Sequence, residues 1–390
     1  MKLTRIIALI CLAALLSGCS GGSIYSNYRE IEQLMVIQTM GFDFTETGVR
    51  LSASSGSDSA GGGSDSQSDQ QGGSAQVARL SADAQSFSLA KEKMQDYSAR
   101  EELFFAHTAY IAIGSRAAET SVLPILDYIE RSTDLRLDIP LFIVTNGTAS
   151  DFVLGAGGES YDATSVLRSL ERNLDMRGDG VIYDAAQIVA ALDENDCALI
   201  AAVRSVKADK AVKEAKPAEL TALPDGYAVI KHGKAIGSIP VEYARGVNIL
   251  QNKVGPSSVE LTVNGKRATV QLDKCSCEIS PVFDGGNFVG LDVQIKLNAA
   301  LSETLGDIQT QKLSRALANT AKLWVTKVLD ASQALECDFL QLGSVLERKE
   351  PNRLRGMSTG LSAHLPSIYY NVGVEAKINR SFDVGLESSQ

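Results

Sequence analysis

Basic residues, histidine, cysteine and long apolar runs are all scarce in this chain, and each shortage removes a class of function. Against 47 acidic residues stand 37 basic ones, a net charge of −10. Such a body is a poor partner for nucleic acid and is repelled by anionic lipid heads. Only His107, His232 and His364 supply imidazole, and none sits at metal-ligand spacing from the cysteines. Six cysteines in 390 residues are too few for a fold built on disulfides. The longest opening apolar run, Ile6 to Leu16, has 11 residues, where a membrane-spanning helix takes about 20. No G-x-S-x-G, P-loop, H-E-x-x-H or dinucleotide fingerprint occurs. The glycine-rich Gly155–Ser160 has neither a strong preceding strand nor a following lysine, so it is a poor phosphate cradle.

What is present begins at the N-terminus. Lys2 and Arg5 precede the short apolar run, and Leu16-Ser17-Gly18-Cys19 closes it. This is the form of a secretory signal peptide (1–18) ending in a bacterial lipobox. The expectation is that Cys19 carries acyl chains, the only covalent group implied, with no further cofactor. One chain anchors marginally and two anchor stably. Residues 19–28 then read as a flexible tether. Loss of Lys2 and Arg5 with the leader leaves 35 basic against 47 acidic residues, a net of −12. Membrane attachment therefore belongs to the lipid and not to a basic patch.

The remaining text predicts an α+β body in three parts. Residues 29–177 read as an N-terminal α/β domain: a hairpin whose loop, Ser54–Ala75, has nothing to bury and is expected to be disordered, then an amphipathic helix over 87–97. A buried strand containing His107 follows, then one helix through Pro124 and a strand over 139–147. Residues 178–254 form a small middle domain with a hairpin turning on His232-Gly233. Residues 255–390 open on a hairpin with Asn264-Gly265, the strongest short-range hairpin signal. A long helix from about Ser302 to Ala334 carries the stripe Leu313, Leu317, Ala321, Trp324 and Val328. A shorter helix begins near Cys337 and a strand ends the domain, giving an antiparallel sheet packed with helices. Cys197, Cys275, Cys277 and Cys337 are expected as structural thiols, with one disulfide the alternative.

Candidate site residues are few. His107 reads first as a core histidine. Arg131, Asp134, Arg136 and Asp138 lie in "YIERSTDLRLDIPLFIV", a link that packs opposite charges between two buried elements. Such a link fixes loop geometry or meets a partner.

Three stretches carry a resemblance. Cys19 followed by Arg29-Glu30-Ile31-Glu32 and "LMVIQTMGFDF" is the first. The block from "ELFFAHTAYIAIG" to "IPLFIVTNGTASDFV" is the second. The ending "CDFLQLGSVLERKEP", with Asp338, Leu342, Gly343 and Pro351, is the third. In their order they resemble the C-subunit lipoproteins of bacterial spore germinant receptors, the Ger(x)C family. That resemblance implies a three-domain lipoprotein on the outer face of the inner spore membrane, assembled with integral-membrane A and B subunits and without catalytic activity. It leaves open whether this subunit touches a small molecule. The chain departs from the family in lacking a tryptophan beside the lipid cysteine and another after Pro351, and in carrying the Ser54–Ala75 insertion. A solute-binding lipoprotein is the alternative, and would need a cleft between two similar lobes. A cell-wall hydrolase would need converging carboxylates.

Overall fold

The computed structural model describes residues 33–56, 77–98, 101–155, 161–207, 220–304, 306 and 308–379. The leader, Cys19, the tether, most of the expected 54–75 loop and most of Gly155–Ser160 lie outside the described residues.

The first half is organised around a nine-stranded mixed sheet. Strand β1 (Leu34–Phe44) pairs antiparallel with β2 (Val49–Ser55), and β2 with β3 (Arg79–Ala84). Ser54 and Ser55, expected in the loop, are instead buried in β2, where they hold register against Thr39 and Ile37. Helix α1 (Phe87–Tyr97) starts where the Ser86 hydroxyl accepts from the Leu89 amide. Strand β4 (Glu102–Phe104) pairs parallel with the start of β1, and β5 (Tyr110–Gly114) pairs parallel with its later part.

The expected single strand through His107 is therefore two. The Phe105 carbonyl accepts from both the amide and the hydroxyl of Thr108, folding a turn that turns His107 out to solvent. The expected single helix is also two, α2 (Ser115–Thr120) and α3 (Leu123–Arg131). Ser121 is extended, and Pro124 sits in the first turn of α3, where its missing N–H costs nothing.

Strand β6 (Leu141–Val144) continues the parallel centre. Helix α4 (Ala149–Leu154) is capped by Thr148, whose hydroxyl accepts from the Asp151 amide. A second cap comes from across the sheet. Asp43 of β1 accepts from the Ala149 and Ser150 amides at 2.9 and 2.8 Å. Helices α5 (Ala163–Arg177) and α6 (Ala185–Asn195) follow, α6 opening on a capping box of Asp184 and Gln187. Three further strands, β7 (Cys197–Lys207), β8 (Leu220–Lys231) and β9 (Lys234–Ile239), come from the stretch read as a middle unit. All three belong to the same large sheet, β7 joining it through Phe142↔Ala201.

One face of the sheet buries Ile111, Ile113, Leu141 and Ile143 under α1, α2, α3 and α6. The other face is divided. Helices α4 and α5 cover Tyr110, Ala112, Phe142 and Val144. Over the β7–β9 end, Cys197, Leu199, Tyr227, Val229 and Ile239 enter the core of the second half, together with helix α7 (Val241–Leu250).

That second half is a four-stranded sheet, β10 (Ser257–Val263), β11 (Lys266–Asp284), β12 (Asn287–Thr304) and β13 (Tyr369–Asn379), in that order. The first three strands are antiparallel. The last joins parallel to β12, because three helices intervene and carry the chain back to the same end. Helix α8 (Thr310–Ala334) starts later than Ser302, since Leu301–Thr304 still pair with β11. Its buried stripe runs Leu313, Leu317, Ala321, Val325 and Val328, leaving Trp324 at the edge. The shorter helix also starts later than Cys337, at Leu342, as α9 (Leu342–Lys349), and a further helix, α10 (Met357–His364), precedes β13. The α+β class with a helix-packed C-terminal sheet is thus what the chain adopts.

Candidate functional site

The sequence nominated His107, Arg131, Asp134, Arg136 and Asp138, and the fold brings some of them together. The C-terminal end of α3 and the start of the link that follows it lie beside α1 and the β4 turn. Between them is a cleft of about 730 Å³. Arg131 and Asp134 line it, together with Lys91 of α1 and Phe104 and Phe105. His107 stands at its lip, its ring 5.5 Å from that of Phe104. Arg136 and Asp138 do not line the cleft. They form their own ion pair at 2.9 Å on the exposed continuation of the link.

The electrostatics of the cleft follow from three pairings. Lys91 donates to the Asp134 carboxylate, and this hydrogen bond holds the Asp134 pKa below the usual carboxylate range. The same ammonium lies 5.0 Å from the centre of the Phe105 ring. Arg131 Nε donates to Asp127 Oδ1 at 2.7 Å, one helical turn back. Tyr128, also in the wall, is pushed up to about 12, chiefly by burial and secondarily by the Asp134 charge. The Arg131 guanidinium remains largely exposed, at 79% of its side-chain surface. The cleft therefore presents an exposed cation, an aromatic wall and a Lys91–Asp134 ion pair. Asp134 is matched by Lys91, and Glu92 and Glu102 also line the cleft, so its wall is a charged surface of the kind that meets another polar surface.

Sequence reading missed Lys91 and Phe105. The doublet Phe104-Phe105 was visible, but the meeting of Phe105 with Lys91 of helix α1 depends on the parallel register of β4 on β1. It also missed the role of two acids elsewhere. Asp43 caps α4 as described. Asp338 is buried and accepts from the Leu342 and Gly343 amides, both at 2.8 Å, at the start of α9. Among the described residues no three His, Cys, Asp or Glu side chains gather as a metal site, and no helix is long and apolar enough to cross a membrane.

A parallel-centred sheet sharing its core with a smaller sheet and its helices defines the class. It is the fold of the crystal structure titled the GerBC protein, with a TM-score of 0.57. The match covers 87% of this chain and 96% of that one at 15% identity, so the likeness is one of fold. Residues 27–204 match the family model described as the spore germination protein N-terminal domain. Residues 225–382 match the model described as spore germination B3/GerAC like, C-terminal. The chain belongs to this spore germination family, with both of its domains in order. No curated protein matches it.

Proposed function

We propose that the chain is the lipid-anchored, non-enzymatic C subunit of a spore germinant receptor. The carrying observation is the succession, in one polypeptide, of a lipobox at Cys19 and the two spore germination domains spanning residues 27–382. Acyl chains on Cys19 would hold the acidic body at the outer face of the inner spore membrane. Confinement to that surface raises its effective concentration beside the integral A and B subunits without any new contact. The cleft at Arg131 and Asp134, with the exposed Arg136–Asp138 pair next to it, is the docking surface on this reading. The two unlike halves weigh against a solute-binding protein, which uses two similar lobes.

The test is substitution of the lipobox cysteine. Cys19→Ala is expected to move the protein from the membrane fraction of spores to the soluble fraction and to abolish nutrient-triggered germination. Retention of the variant in washed membranes, with germination intact, would refute the anchor. Pull-down of the wild-type chain from solubilised spore membranes is expected to bring multi-span subunits with it.

A further inference from the structure

Two cysteines meet at the seam between the halves. Cys197 opens β7, and Cys337 stands just past the C-terminal end of α8. Both are buried thiols, and both belong to the shared core. Their flanks are fastened to each other at several points. Gln341 donates to the Cys197 carbonyl at 2.9 Å, and Asn195 to the Asp338 carbonyl at 3.1 Å. Lys231, the partner of Cys197 in the β7–β8 register, donates to the Glu336 carbonyl at 2.9 Å. Ser362 of α10 touches both sides. Its hydroxyl accepts from the Asp338 amide at 3.1 Å and stands 3.8 Å from the Cys197 sulfur. The Cys337 sulfur lies 3.7 Å from the Ile230 carbonyl oxygen of β8, and the two thiols are in hydrogen-bonding contact.

The other two cysteines differ. Cys275 and Cys277 stand two positions apart on β11, opposite Leu297 and Ile295, so they share one face of one strand. Burial pushes their thiols up to about 11 and about 12, which keeps both protonated and poor nucleophiles at neutral pH. At Cys197 the hydrogen bond with Cys337 outweighs burial and, with smaller help from Ser362 and Lys231, lowers the pKa from the ordinary thiol value. The same bond raises that of Cys337. Cys197 is thereby the attacking sulfur of the pair and Cys337 the resolving one.

We propose that Cys197 and Cys337 are a disulfide pair, joined as the chain folds in an oxidising compartment, and that the bond staples β7 of the first half to the end of α8 in the second. The compartment rests on export through the lipobox signal. The pairing itself does not. The oxidant is an organic disulfide. The Cys197 thiolate attacks one of its sulfurs and expels the other as a thiolate; the Cys337 thiolate then attacks the Cys197 sulfur of the mixed disulfide and expels the second. One Sγ–Sγ bond forms and the S–S bond of the oxidant breaks. Two electrons pass to the oxidant, which leaves as two thiols carrying the two protons. Closing the long loop from 197 to 337 restricts the unfolded chain and so stabilises the fold.

The test is thiol mapping of the full lipidated chain from spore membranes, alkylated in urea before any reductant is added and read by peptide mass spectrometry. The peptides of Cys197 and Cys337 are expected to be linked, two hydrogens lighter than their sum, with Cys275 and Cys277 alkylated. The same chain reduced in urea and refolded with oxidised glutathione is expected to regain that link. Its thermal midpoint is expected to stand roughly 5 °C above that of chain refolded with its thiols reduced. Cys275→Ala with Cys277→Ala is expected to keep both the link and the difference, and Cys337→Ala to lose both. Alkylation of Cys197 and Cys337 in both preparations, or a link from either to Cys275 or Cys277, would overturn the pairing. Equal midpoints would overturn the staple. A link that forms on refolding but is missing from spore material would uphold the pairing and overturn the export reading.

Discussion

Asp338 shows how one buried acid can be structural and still impose a pH dependence. Its two amide contacts favour the carboxylate, but burial outweighs them and lifts its pKa to about 7, with Glu194 adding repulsion. The unfolded chain releases this proton near the ordinary value of 3.8. Below that pH both states hold the proton and the stability is unaffected. Between about 4 and 7 the unfolded state ionises and the folded state does not, so stability falls as pH rises, on the order of 1 kcal/mol per unit, and levels off above about 7. Asp338→Asn removes that slope while turning an amide donor towards a backbone N–H, at a cost of about 1–3 kcal/mol. Urea titrations are expected to show the wild type ahead at pH 5 and its lead shrinking by pH 8. A constant lead would show that Asp338 is ionised throughout. Neighbouring Gly343 is constrained differently. A Cβ there would stand 2.2 Å from the Met357 carbonyl oxygen of α10, so Gly343→Ala is expected to lower the unfolding free energy by about 1–3 kcal/mol through overpacking. The family resemblance marked both residues in the "CDFLQLG" ending but not why they stand there.

At the scale of elements, the link after α3 is where structure and docking compete as explanations. Among the described residues Arg131 bonds to Asp127 one turn away, and Arg136 to Asp138 two residues on. Both pairs are exposed, and exposed pairs of this kind hold little structure. Arg131→Glu with Arg136→Glu is therefore expected to leave the thermal midpoint and spectrum of the isolated chain unchanged while reducing recovery of membrane subunits in pull-downs. Loss of the fold with recovery retained would make the link purely architectural. Elements marked by local chemistry were legible beforehand. The His232-Gly233 and Asn264-Gly265 turns take positive φ at all four residues, as their types suggest. Helix α1 has the predicted bounds because an amphipathic face and a cap coincide. Strands and helices whose limits are set by distant partners were not legible. The start of α8 waits on the β11–β12 ladder, and the break at His107 on the Phe105–Thr108 turn. The cleft needed register between chain segments that no spacing reveals.

For the whole molecule the question is whether the two halves are separable. Residues 178–254 serve both. Strands β7–β9 complete the large sheet, yet their Cys197, Leu199, Tyr227, Val229 and Ile239 share a core with Val293, Ile295 and Leu317 of the second half. Polar ties follow the same seam. Tyr227 donates to Asn248 at 2.8 Å and accepts from the Val181 amide. Arg245 bonds Asp179 at 2.8 Å and lies 5.0 Å over the ring of Trp324. Trp324 is the single tryptophan, so its fluorescence reports the seam alone, whereas far-UV circular dichroism reports all helices and strands. If the seam is part of one cooperative unit, urea unfolding followed by the two signals is expected to give coincident transitions. Residues 255–390 expressed alone would expose the apolar face now covered by α7 and β7–β9, and are expected to show no cooperative transition. Tyr227→Phe leaves Asn248 and the Val181 amide short of a partner and is expected to shift both signals together, by about 1–3 kcal/mol. A cooperative melt of the isolated fragment, with fluorescence and dichroism separated in the full chain, would mean that the halves fold independently and that the shared core is only a contact between them.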